Sequence, residues 1–237
     1  MPIPLLIAPD DDDTAFPDTS LALRDPDGLL AVGGRLSQKR LVQAYRQGIF
    51  PWYSDDQPIL WWSPNPRLVL FPEHLKISRS LKKTMRKQPF RLSFDEQFLS
   101  VIQACSAPRL KQHGTWISDE IKLAYFSLFQ SGFAHSIEVW EKNELVGGLY
   151  GVSIGRIFFG ESMFSKKTDA SKIAFVFLVK NLQAWGYKLI DCQVRTEHLL
   201  SLGAEEIERE TFETLLKQWT HVSPDKTAWK DIFWNYD

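Results

Sequence analysis

The sequence predicts an α+β fold, and two observations carry the prediction. Between Ala134 and Ser165 three runs rich in apolar, β-branched and aromatic residues follow one another through short turns, as in an antiparallel meander. A helix-length run from Ala170 to about Trp185 then leads to a fourth strand, "YKLIDCQV", residues 187–194, which carries polar groups. Strands in succession, then a helix and a further strand, make an α+β order. The 237 residues are 44% hydrophobic, enough for one sizeable core or for a main domain with a smaller one attached.

The elements follow in chain order. Residues 37–48 read as a short helix, with Ser37 as N-cap and Gly48 as the stop. The next stretch, "IFPWYSDDQPILWWSPNPR", holds four prolines and four Trp or Tyr residues. It reads as irregular, a junction between a small N-terminal domain, 1–66, and a main domain, 67–237. Ser78 can cap a helix that Pro89 keeps from running on, and Ile77, Leu81 and Met85 give that helix one apolar stripe. "FRLSF" is a strand, and "DEQFLSVIQACS" a helix capped by Asp95. "SDEIKLAYFSLFQSG" is a helix capped by Ser118 and stopped by Gly132, with acids in its first turn where the helix dipole favours them. The three meander strands are 134–141, 145–154 and 157–165. Gly186 ends the long helix. Residues 196–203 read as a short helix, 204–209 as a short strand and 210–219 as a last helix. From His221 onward no pattern assigns the chain.

Composition narrows the function classes. There is no run of about 18 apolar residues of the kind a membrane span requires. The N-terminus lacks a basic region and a small-residue cleavage site, so no secretory signal is expected. Cys105 and Cys192 are the only cysteines and lie in apolar runs, which fits a reducing cytosol. No C-x-x-C or H-E-x-x-H spacing supports a zinc site. We therefore expect a cytoplasmic monomer with no metal, cofactor or membrane partner. The net charge of −1 conceals an uneven distribution. From His74 to Phe94 there is no acid, but Lys76, Arg79, Lys82, Lys83, Arg86, Lys87 and Arg91 are all present. Such a run is usually a solvated face; without any acid it also suits contact with a nucleic-acid backbone, through Arg79, Lys82, Lys83 and Arg86.

Other candidates stand where chemistry would be needed. Strand alternation puts Asp191 and Gln193 on one face of a buried-looking strand. At a strand end they would simply reach solvent. At a cleft floor they would form an acceptor and donor able to take or align a proton. Glu161, in "FFGESMF", shares a face with Phe159 and Met163 on the same rule. It would be half of a salt bridge or the partner of a cationic ligand. Trp52, Trp61, Trp62 and Trp116 are each ordinary core candidates. Trp52 and Trp116, beside turn residues, also suit stacking on a base.

These residues also lie within a larger pattern. "GIFPWYS", "WWSPNPR", "HSIEVW", "LVGGLYGV", "GESMFS", "DASK", "LIDCQV" and "SLGA" occur in order. Together these blocks, which lie between Gly48 and Ala204, resemble the leucyl/phenylalanyl-tRNA–protein transferase family. The resemblance implies a small N-terminal domain followed by a GNAT-like acyltransferase domain, with a central, mostly antiparallel sheet flanked by helices. It implies transfer of Leu or Phe, with Met as a third candidate, from aminoacyl-tRNA to proteins beginning with Arg or Lys, marking them for degradation. Block by block, it implies adenine stacking by Trp52 and Trp116, and proton handling by Asp191 and Gln193. It makes Glu161 the acidic cleft residue, and Leu149, Leu178, Leu182 and Ile190 the side-chain pocket.

The chemistry agrees with the residues. An aminoacyl ester is already activated toward amines, so positioning a neutral amine beside it can supply much of the acceleration, up to about 7–11 kcal/mol in favourable cases. Two rivals differ in what they need. A coenzyme-A-dependent N-acetyltransferase of this fold would carry a glycine-containing pyrophosphate loop before the long helix, where this chain reads "SKKTDASK". A non-catalytic RNA-binding module would need the basic helix but not Asp191, Gln193 and Glu161.

Overall fold

A computed structural model of the chain describes residues 3–87, 90–107 and 115–233. Two sheets organise it. The first holds β1 (Leu5–Ile7), β2 (Leu29–Gly33), β3 (Phe50–Pro51) and β4 (Leu60–Trp62), in the order β1-β2-β4-β3, with α1 (Gln38–Arg46) between β2 and β3. The second begins with β5 (Arg67–Leu70) and continues through α2 (Arg79–Lys87), β6 (Arg91–Phe94), α3 (Phe98–Ser106) and α4 (Asp119–Gln130). The meander β7 (Ala134–Glu141), β8 (Glu144–Ile154) and β9 (Ile157–Ser165) follows, then α5 (Ala170–Ala184) and β10 (Leu189–Gln193). The series closes with α6 (Glu197–Ser201), β11 (Glu205–Ile207) and α7 (Arg209–Trp219). The seven strands lie in the order β11-β5-β10-β9-β8-β7-β6. Within this sheet, among the described residues, only β9 and β10 pair in parallel, joined by α5; the other neighbours are antiparallel. The fold class is α+β, as expected.

The sheet is covered on both faces, and the alternation of its residues shows which is which. Leu68, Leu70, Leu149, Phe158 and Ile190 pack with α5 and with Leu81 and Met85 of α2. Val69, Tyr150, Phe159 and Leu189 face α3 and α4, and share one continuous core with Ala31, Phe50 and Trp61 of the first sheet. Burial of this kind is worth roughly 1.5–3 kcal/mol per large apolar side chain before conformational entropy is subtracted.

Several local expectations hold at atomic detail. Ser37 accepts a hydrogen bond from the Arg40 amide, Ser78 from that of Leu81, and Ser118 from that of Ile121. Gly48, Gly132 and Gly186 all take positive φ just past their helices. Pro89, expected to stop α2, lies outside the described residues.

Other expectations need correction. The stretch 49–67 is not irregular throughout, since β3 and β4 pair through Phe50↔Trp62 and Pro51↔Trp61. The proline is tolerated because β3 is an edge strand, where an absent N–H costs little. Arg67–Leu70, not anticipated as a strand, lies between β11 and β10; four fully buried residues show no alternation to read. Asp95 does not cap α3. It takes φ 58, and its carboxylate accepts from the Ser136 amide at 2.8 Å and pairs with His135 Nδ1 at 2.7 Å. The segment after His221 returns to the sheet, where Trp229 stacks on His135 with ring centroids 3.8 Å apart.

Candidate active site

Pairing between β9 and β10 runs from Leu189↔Ile157 to Asp191↔Phe159 and goes no further. Past that point the two strands bound a cleft of about 1140 Å³, closed by α3, α5 and α6. It lies beyond the carboxyl ends of the parallel pair, where open sheets commonly place their ligands.

Two bulges decide which side chains turn into this cleft. On β9, Ser162 pairs with Tyr150 and Gly160 with Gly151, so Glu161 is an extra, unpaired residue. The shared face expected for Phe159, Glu161 and Met163 is therefore lost. Phe159 packs on the α3 side and Met163 on the α5 side. On β10, Gln193 lies opposite Leu68, where regular pairing would put Cys192, and takes φ 63. Asp191 and Gln193 are thus not placed by simple alternation either.

Glu161 on the cleft wall accepts three side-chain hydrogen bonds. The Tyr45 hydroxyl from α1 donates to it at 2.7 Å, that of Tyr125 from α4 at 2.9 Å, and the Gln193 side-chain amide at 3.1 Å. The two tyrosine hydroxyls also contact each other. Burial raises the Glu161 carboxyl from 4.5 to about 7, partly offset by the two tyrosine hydrogen bonds, with Asp191 adding to the rise and Arg67 opposing it. Burial also holds both tyrosines well above their ordinary pKa, so they remain donors.

Asp191 is 0% exposed and fully engaged. Arg67 Nε donates to Oδ1 at 2.8 Å and Nη2 to Oδ2 at 2.6 Å, a bidentate pair. Asp191 Oδ1 also accepts from the Gln193 backbone N–H at 2.9 Å. The guanidinium lies 4.7 Å from the ring centroid of Phe50 and 4.8 Å from that of Phe212.

The cleft brings together most of the residues singled out in the sequence. Asp191, Gln193, Glu161 and Trp116 line it, and Leu149, Leu178 and Ile190 give it an apolar end together with Phe158 and Phe175. Leu182 is buried in the same core but is not on the wall. Trp52, 48% exposed, is not on the wall either. Its neighbour Tyr53 donates to Glu120 at 3.0 Å, which ties the Trp52 segment to the helix that follows Trp116. Arg79, Lys82, Lys83 and Arg86 are exposed on α2, which is linked to the start of α5 by a hydrogen bond from Thr84 to Asp169 at 3.2 Å. Among the described residues, no cluster of three or more His, Cys, Asp or Glu side chains could hold a metal ion.

Sequence reasoning missed Tyr45, Tyr125 and Arg67, whose signals are individually ordinary. It also missed Tyr150 and His198, which line the cleft with buried side-chain polar atoms lacking a partner among the described residues.

Comparison with known proteins decides the family. Residues 69–217 match the model for leucyl/phenylalanyl-tRNA protein transferase, and residues 34–65 that for its N-terminal domain. The chain belongs to the leucyl/phenylalanyl-tRNA–protein transferase family. A member from Methylococcus capsulatus is 56% identical over 225 residues, covering 95% of this chain and 96% of that protein. One from Aromatoleum aromaticum is 58% identical over 214 residues, covering 90% of each. Among solved structures, a GCN5-related N-acetyltransferase from Kribbella flavida is similar at 9% identity and a TM-score of 0.35, covering 68% of this chain and 57% of that one. The chain is thus an enzyme of the aminoacyl-tRNA–protein transferase class, and the cleft contains the residues that the family resemblance implied for catalysis and for the apolar pocket, apart from Leu182.

Proposed function

We propose that this enzyme transfers Leu or Phe, with Met as a third candidate, from aminoacyl-tRNA to the N-terminal α-amine of proteins beginning with Arg or Lys, forming a peptide bond that serves as a degradation signal. One observation carries the reading: a single cleft joins an apolar end, an aromatic wall and a polar floor. Leu149, Leu178 and Ile190, backed by Leu182, receive the amino-acid side chain. Trp116, with Trp52 on the neighbouring segment, stacks on the terminal adenine. Glu161, Gln193 and Asp191 form the floor at which the amine meets the ester. Arg79, Lys82, Lys83 and Arg86 contact the tRNA backbone. The enzyme works as a monomer in the cytoplasm. No helix among the described residues is long and apolar enough to cross a membrane. On the same reading residues 1–66 form a small domain and 67–237 the transferase domain, a division supported by the change from one sheet to the other at Arg67.

The test is transfer of labelled Leu from Leu-tRNA to an Arg-starting peptide, with acetyl-CoA as the control donor. Leu transfer without acetyl transfer is expected. Acetylation of the peptide would favour the N-acetyltransferase reading, which the glycine-free "SKKTDASK" before α5 disfavours. Binding of tRNA without either reaction would favour a non-catalytic module.

A further inference from the structure

Arg67 is not on the cleft wall, yet its placement is heavily constrained. It is 1% exposed, forks onto both oxygens of Asp191, and lies against Phe50 of β3 and Phe212 of α7. Its Nη1 is buried without a hydrogen-bond partner among the described residues. A buried ion pair is weak evidence of stabilisation, because desolvation offsets its attraction, and an unpartnered N–H adds to that cost. The geometry on the far side of the pair supplies another reason for keeping it. With both oxygens fixed by the fork, Asp191 Oδ1 is turned to accept the Gln193 N–H at 2.9 Å. That bond holds Gln193 at φ 63, a conformation unfavourable for a residue with a side chain. From there its amide reaches Glu161 Oε1 at 3.1 Å, on the oxygen that also receives Tyr45.

We propose that Arg67 is a positioning residue for aminoacyl transfer: through Asp191 and Gln193 it sets the direction in which the Glu161 carboxylate meets the attacking amine. The inference rests on the transfer reading above. In the step it serves, the amine nitrogen bonds to the ester carbonyl carbon and the bond from that carbon to the ribose oxygen breaks. One proton passes from nitrogen to the Glu161 carboxylate and then to the ribose oxygen, which leaves as a hydroxyl. Asp191, engaged by Arg67, holds the geometry.

Two variants test this, beside the wild-type enzyme. Arg67→Lys keeps the charge and loses the fork. Arg67→Met combined with Asp191→Leu removes both charges, so the fold is relieved of a buried ion pair while Gln193 loses its acceptor. The expectation for both is a kcat lowered by about 10- to 100-fold, as for a misplaced reacting group, with KM for Leu-tRNA unchanged. In the double variant this loss should persist even though the melting temperature stays near wild type, a separation that a merely structural pair would not produce. A folded double variant with wild-type kcat overturns the proposal. If the double variant does not fold, Arg67→Lys decides alone: unchanged kcat overturns the proposal, and lowered kcat at unchanged KM supports it. A wild-type enzyme that transfers no Leu overturns the transfer reading itself, a result separate from either variant outcome.

Discussion

Gln193 donates its side-chain amide to Glu161 at 3.1 Å across the open end of the β9–β10 pair. This hydrogen bond joins the two strand bulges, one on each wall of the cleft. On the proposed reading, Glu161, whose carboxyl burial raises to about 7, is the group whose titration should govern the reaction.

The pH dependence of transfer should show this. With the Glu161 carboxyl raised to about 7, its ionised form accumulates as pH rises through that value, and the rate should rise with it. Glu161→Gln should remove this limb and lower kcat by about 10²–10⁴. The limb should stay in place when the acceptor's amine pKa is changed. A limb that persists in the Gln variant would assign it elsewhere. Stability should run the other way. From pH 4.5 to about 7 the native state holds the proton that the unfolded state has released, so stability falls as pH rises across that window. Melting temperatures of Glu161→Gln should lack that fall.

Asp191→Asn should damage the fold as well as the reaction. Removing the carboxylate strands the buried Arg67 charge, a change that typically costs about 3–5 kcal/mol. Denaturant unfolding checks this; wild-type stability would mean that the Arg67–Asp191 fork is not the ion pair described.

Trp116→Ala should raise KM for an aminoacyl-adenosine minimal substrate as much as for full-length aminoacyl-tRNA. Stacking on one base is worth roughly 1–3 kcal/mol and is removed from both. An effect confined to full tRNA would move Trp116 away from the terminal base.

Replacing two of Arg79, Lys82, Lys83 and Arg86 by Glu should weaken binding of all tRNA sequences alike. The slope of log affinity against log salt should flatten by roughly 0.7–0.9 for each phosphate no longer neutralised. Unchanged affinity and slope would leave α2 as a solvated surface.

Leu and Asp charged onto the same tRNA body should behave very differently. The apolar end at Leu149, Leu178 and Ile190 offers a carboxylate no partner, and desolvation should exclude it. Val and Ile should be rejected only in part, since a methylene is worth roughly 1–3 kcal/mol in such a pocket. Equal transfer of Leu and Asp would place the amino-acid pocket elsewhere.

The sequence by itself determined what local chemistry controls. The caps at Ser37, Ser78 and Ser118, the glycines after the helices and the meander from Ala134 to Ser165 depend on neighbours close in the chain, so their signals are legible there. The residue types at Glu161, Asp191 and Gln193 also stood out, because polar groups in apolar strands are conspicuous. Their geometry did not. Alternation assumes an unbroken ladder, and a bulge of one residue redirects everything after it. Only the tertiary structure brought Arg67 to Asp191, 124 positions away, and Tyr45 to Glu161, 116 positions away. Those pairings follow from strand order and from the packing of α1 and α4 against the sheet, both of which are set by the whole chain's core.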